Sequence, residues 1–278
     1  PYIRIIKSFE KSLNYSKSVK EQNKVSKKVN SEKWIVVTSI NNNPTEQLKK
    51  LANISNFKLI VVGDLKTSLN WSLPNSIYMS VVDQKNMNLR IFKSLPFNSY
   101  TRKNFGYLLA IKNGARFIYD TDDDNAPTTD LNEYFGYTEH DLGLIYDCRA
   151  AESSGRVPNV YAHFGQPMIW PRGYPLSEIK QIYSNNYVSG RRKVSAVQQG
   201  VVNGDPDVDA IFRLTKSMQY KRIDLYFDSV APSLQLPLYK MSPYNSQNTL
   251  ITYAAFWSRY LPKTVSCRLT VSWRSYWA

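Results

Sequence analysis

Asp120-Thr121-Asp122-Asp123-Asp124 places four carboxylates within five positions, directly after Arg116-Phe117-Ile118-Tyr119. At that spacing the charges repel one another, so the pattern calls for a cation nearby. A short β-branched and aromatic run ending in acids reads as a strand whose C-terminal edge opens onto a ligand crevice. Hard oxygen ligands at such an edge suit Mg2+ or Mn2+ and, through the metal, a diphosphate. A solvated acidic turn is the competing reading, because aspartates are good turn formers.

A second acidic group follows at Asp205-Pro206-Asp207-Val208-Asp209. Pro206 fits the first turn of a helix, with Asp205 as its N-cap. Capping accounts for Asp205 but not for Asp209, which falls about one turn on and is expected to face inward. One carboxylate of this helix would then serve as general base or substrate anchor. Between the two groups, residues 148–175 carry Gly155, Pro158, Gly165, Pro167, Pro171, Gly173 and Pro175, the composition of a functional loop. That loop also holds His163, Gln166, Trp170 and Arg172. His163 either packs structurally or touches metal or substrate.

Strand and helix must alternate to position these groups. Trp34–Ser39, Phe57–Gly63, Ser76–Val82 and Gly143–Tyr146 read as strands, and Pro44 opens a helix through Leu48, Leu51 and Ile54. This order predicts an α/β class with a parallel sheet. Ser99 fits as N-cap of a helix over 102–112, which Asn113-Gly114 stops. Arg102 and Lys103 stand in its first turn, where cations oppose the helix dipole. An anion docking at that end would explain them; the alternative is two ordinary surface cations.

The 278 residues, 42% hydrophobic and with 20 Tyr and 6 Trp, suffice for one large α/β domain or two small ones. No run of 18 apolar residues is present. The net charge of +14 is uneven, with Arg4 and seven lysines against Glu10 and Glu21 in residues 1–30. That segment reads as a basic stem or linker. The remaining basic residues are spread rather than massed and no nucleic-acid motif accompanies them, so diphosphate ligands are expected and nucleic acid is not. Ser-His-Asp, P-loop, HExxH, zinc and GxGxxG patterns are absent, which argues against an NAD enzyme among others. Cys148 and Cys267 allow one disulfide or two core thiols. Sequons at Asn14, Asn53 and Asn70 would allow glycosylation in a secretory compartment.

Four motifs in one order now carry a resemblance. They are Arg102-Lys-Asn-x-Gly106-Tyr-Leu-x-Ala110-Ile-x-x-Gly114-Ala115, the Asp120-x-Asp122-Asp123 edge, His163-Phe-Gly-Gln166-x-x-x-Trp170-Pro-Arg172-Gly173-x-Pro175-Leu176, and Gln198-Gln-Gly200-x-x-Asn203-Gly204-x-Pro206-Asp207-Val208-Asp209. Together they resemble the STELLO family of glycosyltransferase-like proteins of the plant Golgi apparatus, over about 34–277. More distantly the chain is similar to the reversibly glycosylated polypeptides, the UDP-arabinopyranose mutases. They share an acidic strand end, the stretch Arg172 to Pro175 and the stretch Pro206 to Ala210.

The resemblance implies a glycosyltransferase A-type fold with a mixed central sheet. Residues 31–147 would form the Rossmann-like nucleotide-sugar-binding half and 148–278 the acceptor and sugar-side half, after the stem at 1–30. It implies that Thr38, Ser39 and Asp64 line the base and ribose pocket, that Asp120 faces the ribose, and that Arg102 and Lys103 reach the nucleotide or its phosphates. Asp122, Asp123 or both would hold Mn2+ or Mg2+; Asp124, which departs from the plant pattern, and His163 are further metal candidates. Arg172 would lie by the sugar or diphosphate, and Asp207 and Asp209 would be the sugar-side catalytic carboxylates. The implied activity is metal-dependent transfer of a sugar from a nucleotide diphosphate, a UDP-sugar, to a glycan or protein acceptor. A non-catalytic scaffold for glycan-synthase partner proteins is the alternative, and a UDP-sugar mutase a lesser one. The Golgi lumen, reached through an N-terminal anchor upstream of Pro1, is the implied location. The plant proteins continue beyond the point matching Trp277, and acceptor binding could depend on that part.

Overall fold

The computed structural model describes residues 31–147, 157–179, 187–217, 223–238 and 240–276. The expected stem, the boundary at 147/148 and Cys148 fall outside or at the edge of these residues. Two continuous apolar runs start the fold. β1 (Lys33–Thr38) and β2 (Phe57–Val62) are buried almost throughout, as parallel strands covered on both faces must be. They pair in parallel, with Val37 opposite Val61 and Thr38 opposite Val62.

Between them runs α1 (Glu46–Ala52), capped by Thr45, whose Oγ1 accepts from Leu48 N. Its Leu48 and Leu51 are buried against the sheet. β3 (Ser76–Met79) joins β2 in parallel but stops before the expected Val82. Ser80 and Asp83 form a reciprocal capping box and turn Val81–Asn86 into α2.

The chain then returns across the sheet. A 3-10 turn at Tyr100–Arg102, capped by Ser99, leads into α3 (Lys103–Lys112). Asn113 and the positive-φ Gly114 end it as expected. β4 (Phe117–Thr121) lies beside β1 on the side opposite β2, with Val36 opposite Asp120. α4 (Leu131–Tyr134) and β5 (His140–Tyr146) follow, then α5 (Val160–His163), β6 (Tyr187–Lys193), β7 (Val197–Gln199) and α6 (Ala210–Ser217). β8 (Leu234–Gln235), β9 (Asn248–Thr252) and α7 (Cys267–Ser272) complete the described elements.

The main sheet has the order β3-β2-β1-β4-β9-β7. β1 to β4 run parallel, β9 is antiparallel to β4, and β7 is antiparallel to β9. This is an α/β fold with a mixed central sheet. A second sheet, β6-β5-β8, is separate. Among the described residues no helix is long and apolar enough to cross a membrane.

The order 3-2-1-4 creates a switch point. From β1 the chain winds outward through β2 and β3, then comes back to place β4 on the other side of β1. Crevices at the carboxyl ends of such strands are where open α/β sheets bind ligands. α3 holds this arrangement by close packing. A Cβ on Gly106 would stand 2.5 Å from Val36 Cγ1 and 2.8 Å from Val62 Cγ2, both stiff β-branched side chains. Gly106→Val is therefore expected to lower stability by about 1–3 kcal/mol. Gly190→Ala, where an added Cβ meets nothing within 4 Å, should change it by less than about 0.5 kcal/mol. Urea unfolding of both variants checks the contrast.

Candidate functional site

The acidic run leaves β4 at the switch point. Asp120 and Thr121 still belong to the strand and are fully buried; Asp122, Asp123 and Asp124 turn outward beyond it. A cavity of about 350 Å³ opens there. The ends of β1 (Thr38, Ser39), β2 (Val62 to Asp64) and the three outer acids line it. Each strand end supplies polar groups because the sheet stops where the backbone must find new partners.

Local bonds fix these groups. Ser39 Oγ donates to Asp123 Oδ2 at 2.6 Å, and Asn41 Nδ2 donates to the same oxygen at 2.9 Å. Thr45 Oγ1 donates to the Asp123 carbonyl at 2.8 Å, so the cap of α1 also anchors the acidic turn. Asp64 is buried and accepts from Leu65 N and Ser99 N, which ties the end of β2 to the turn before α3.

Asp120 does not face the cavity. It is wholly buried, and Lys103 Nζ meets its Oδ1 at 2.6 Å. Arg259, Arg274 at 3.3 Å and the Tyr107 hydroxyl at 3.0 Å surround Oδ2. Burial pushes its carboxyl up, but Arg259, Lys103 and Arg274 together hold it well below the usual carboxylate range. The expected ribose contact is thus replaced by an internal charge cluster.

Lys103 is likewise at 0% exposure and reaches no open phosphate site. Besides Asp120, its Nζ donates to the Thr121 carbonyl at 2.5 Å and the Tyr100 hydroxyl at 2.9 Å, and it stands 3.5 Å from Asp122. It lies beneath the acids as their counterion. Arg102 is also buried. Its Nε donates to Gln84 Oε1 at 2.7 Å, and its guanidinium lies over the rings of Phe97, Phe105 and Phe92. Arg102 does line the cavity, and its Nη2 is a buried donor without a hydrogen-bond partner.

The outer acids keep the repulsion that the sequence suggests. Burial raises Asp122, with Asp120 and Asp124 adding to the rise against Lys103 and Tyr100. Burial and then Asp123 raise Asp124. Among the described residues no three His, Cys, Asp or Glu side chains converge on one ion position. Mg2+ and Mn2+ need no such cage beside a diphosphate, since one or two carboxylates and the phosphate oxygens complete the shell. Asp122 and Asp123, each with one carboxylate oxygen outside the hydrogen bonds above, fit that donor set.

A second cavity of about 510 Å³ lies on the other side of Asp122. Tyr100 and Asp122 line both cavities. The Tyr100 hydroxyl donates to Asp122 Oδ1 at 3.0 Å. Arg172 and Asp207 enter this cavity as an ion pair. An isolated bridge between Pro171 and Val208 brings them together, with Arg172 N donating to Asp207 O at 3.1 Å.

Asp205 and Asp209 exchange the roles expected of them. α6 begins at Ala210, not at Pro206, and Asp209 caps it: its Oδ1 accepts from Ile211 N at 2.8 Å and Phe212 N at 3.4 Å. Asp209 is not among the residues lining the second cavity, whereas Asp205 is, paired with Arg213 at 2.7 Å. His163 joins neither cavity. Its Nδ1 bonds the Tyr187 hydroxyl and its Nε2 the Pro232 carbonyl, so both ring nitrogens are engaged away from the acids. Asn41, Tyr100, Arg213, Gln247, Arg259 and Arg274 take part without having been singled out in the sequence. Only Tyr100, one turn before the basic helix start, had a local signal.

Comparison with known proteins adds a lineage. Residues 28–249 match the model of a family described as reversibly glycosylated polypeptide. Two Arabidopsis thaliana proteins, named probable glycosyltransferase STELLO1 and STELLO2, are each 38% identical to the chain over 255 and 260 residues. The matches cover 89% of this chain and 33% of each relative, so the chain spans about a third of their length.

Removing Asp120 while keeping its three cations leaves them buried and unpaired. Asp120→Asn should cost about 3–5 kcal/mol in urea unfolding. Asp124→Asn, at an exposed position, should stay within about 0.5 kcal/mol.

Proposed function

Because the chain belongs to the reversibly glycosylated polypeptide family, we propose that its switch-point crevice binds a nucleoside diphosphate sugar and that the chain is a metal-dependent glycosyltransferase of the A-type fold. The observation that carries this reading is the pair of cavities sharing one wall at Tyr100 and Asp122. A nucleotide sugar has two bulky ends joined by a diphosphate, and two cavities joined at an acidic wall match that outline. The names of the two Arabidopsis relatives, probable glycosyltransferases, support the same class of chemistry.

The smaller cavity takes the nucleoside. Thr38, Ser39 and Asp64 face the base and ribose, and the free Nη2 of Arg102 offers a donor to a base carbonyl such as those of uracil. Asp122 and Asp123 would hold Mg2+ or Mn2+ on the diphosphate, and the ion would stabilise negative charge on the leaving group. Tyr100 orients Asp122 through its hydroxyl, and Lys103 holds that hydroxyl from below. The sugar then occupies the larger cavity beside Arg172 and Asp207. Asp207 would receive a proton from an acceptor hydroxyl, and the ion pair with Arg172 orients it. A UDP-sugar donor, a glycan or protein acceptor and a Golgi location belong to this proposal through the family likeness.

The Asp122→Asn/Asp123→Asn double variant tests it. UDP affinity measured with Mn2+ should fall roughly 100-fold or more. The double variant should stay folded, because Asp122 and Asp123 lie beyond the strand and outside the fully buried charge cluster, and a thermal melt checks this. Unchanged UDP affinity in the folded double variant would contradict the metal assignment.

A further inference from the structure

Among the described residues, the cations lining the larger cavity are Arg172 and Arg213, and each is already paired with a carboxylate that lines the same cavity. With Asp122, Asp205 and Asp207 facing the space, the described lining carries one negative charge in excess. Each arginine is held beside its aspartate. The Pro171–Val208 bridge fixes the backbone of Arg172 against that of Asp207. Arg213 spans Asp205 and the Pro206 carbonyl, with Nη2 at 2.7 and 3.1 Å. Gln247 completes this wall: its Nε2 donates to the Asp205 carbonyl at 3.1 Å, and its Oε1 is a buried acceptor without a hydrogen-bond partner.

We propose that these two arginine–aspartate pairs select a neutral sugar and exclude one bearing a carboxylate, with Asp205 and Arg213 as specificity-determining residues. The inference rests on the donor-site reading above. An arginine beside an aspartate offers donors next to acceptors. Neighbouring sugar hydroxyls, each donor and acceptor at once, satisfy both. The unpartnered Gln247 oxygen likewise asks for a hydroxyl donor. A carboxylate supplies only acceptors and a negative charge. It would meet aspartates and the Gln247 oxygen, and any arginine donor it reached would belong to a cation whose charge its own aspartate already offsets. A divalent cation at Asp122 would be offset by the two negative charges of the donor's diphosphate and would leave both arginines paired, so the discrimination persists with the metal bound.

Calorimetry of the chain with Mn2+ tests this, using UDP and two matched pairs, UDP-glucose with UDP-glucuronate and UDP-galactose with UDP-galacturonate. Each pair differs only at C6, as a hydroxymethyl or a carboxylate. The neutral member of at least one pair should bind about tenfold more tightly or better. Asp205→Asn should narrow that gap to about threefold or less by freeing Arg213 to meet the carboxylate, while UDP itself binds as before. The Asp205 side chain is half exposed, so the variant should fold, and its UDP affinity verifies that it has. Equal affinities within both pairs, tighter uronate binding, or a gap untouched by Asp205→Asn would overturn the proposal while leaving the donor site standing. Failure of the wild type to bind UDP would overturn the donor-site reading and this inference with it.

Discussion

Asp120 is a carboxylate with no access to water, surrounded by Lys103, Arg259 and Arg274, which are themselves at most 2% exposed. Burying one such charge alone would be prohibitive, so the four groups stand or fall together. They come from β4, the start of α3, and two segments near the C-terminal end of the described chain. The cluster therefore draws the last elements under the strand edge, with Asn104 of α3 bonded reciprocally to the Leu261 backbone as a second tie. It also sets the electrostatics above. Three cations against one carboxylate leave positive charge beneath Asp122, Asp123 and Asp124, which lets three acids share one turn. Asp122 touches this cluster directly, through Lys103 and through Tyr100.

Topology does the rest of the positioning. Because β4 returns beside β1, the acidic turn stands opposite Ser39 and Asn41, and the Asp123 carboxylate is claimed by both. The Tyr100–Arg102 turn crosses the same edge and separates two cavities while belonging to each. Further along, the Pro171–Val208 bridge zips two loops that are distant in sequence, and this alone brings Arg172 to Asp207. Around it Tyr161, Ile169, Val208, Phe212, Ile223 and Phe227 form a small apolar cluster of their own. The second acidic group thus rests on a packed base rather than on a free loop.

The parallel strands were legible in the sequence because burial on both faces writes continuous apolar runs. The acidic strand end, the helix over 103–112 and its Asn113-Gly114 stop were legible for equally local reasons. Charge pairing over long separations was not. Nothing around Arg259 or Arg274 indicates that each seeks Asp120, and Arg102 and Lys103 read as open phosphate binders because a helix start shows its charge but not its depth. Asp205 and Asp209 were exchanged because both can cap a helix, and a proline at 206 favours the earlier start. The Pro171–Val208 bridge takes up the Asp207 carbonyl and the Asp209 N–H, so the helix begins only after Asp209. The third strand ended early at a Ser80-x-x-Asp83 box, a signal that was present in the sequence.

The measurement that bears most directly on the switch-point crevice is calorimetric titration of the chain with UDP, once with Mn2+ and once with EDTA. A nucleotide site built on Asp122 and Asp123 gives saturable binding on the order of micromolar with the metal and a loss of roughly 100-fold or more without it. A folded chain that binds UDP equally in both conditions, or in neither, would contradict a metal-assisted donor site and return the acidic turn to a purely structural role.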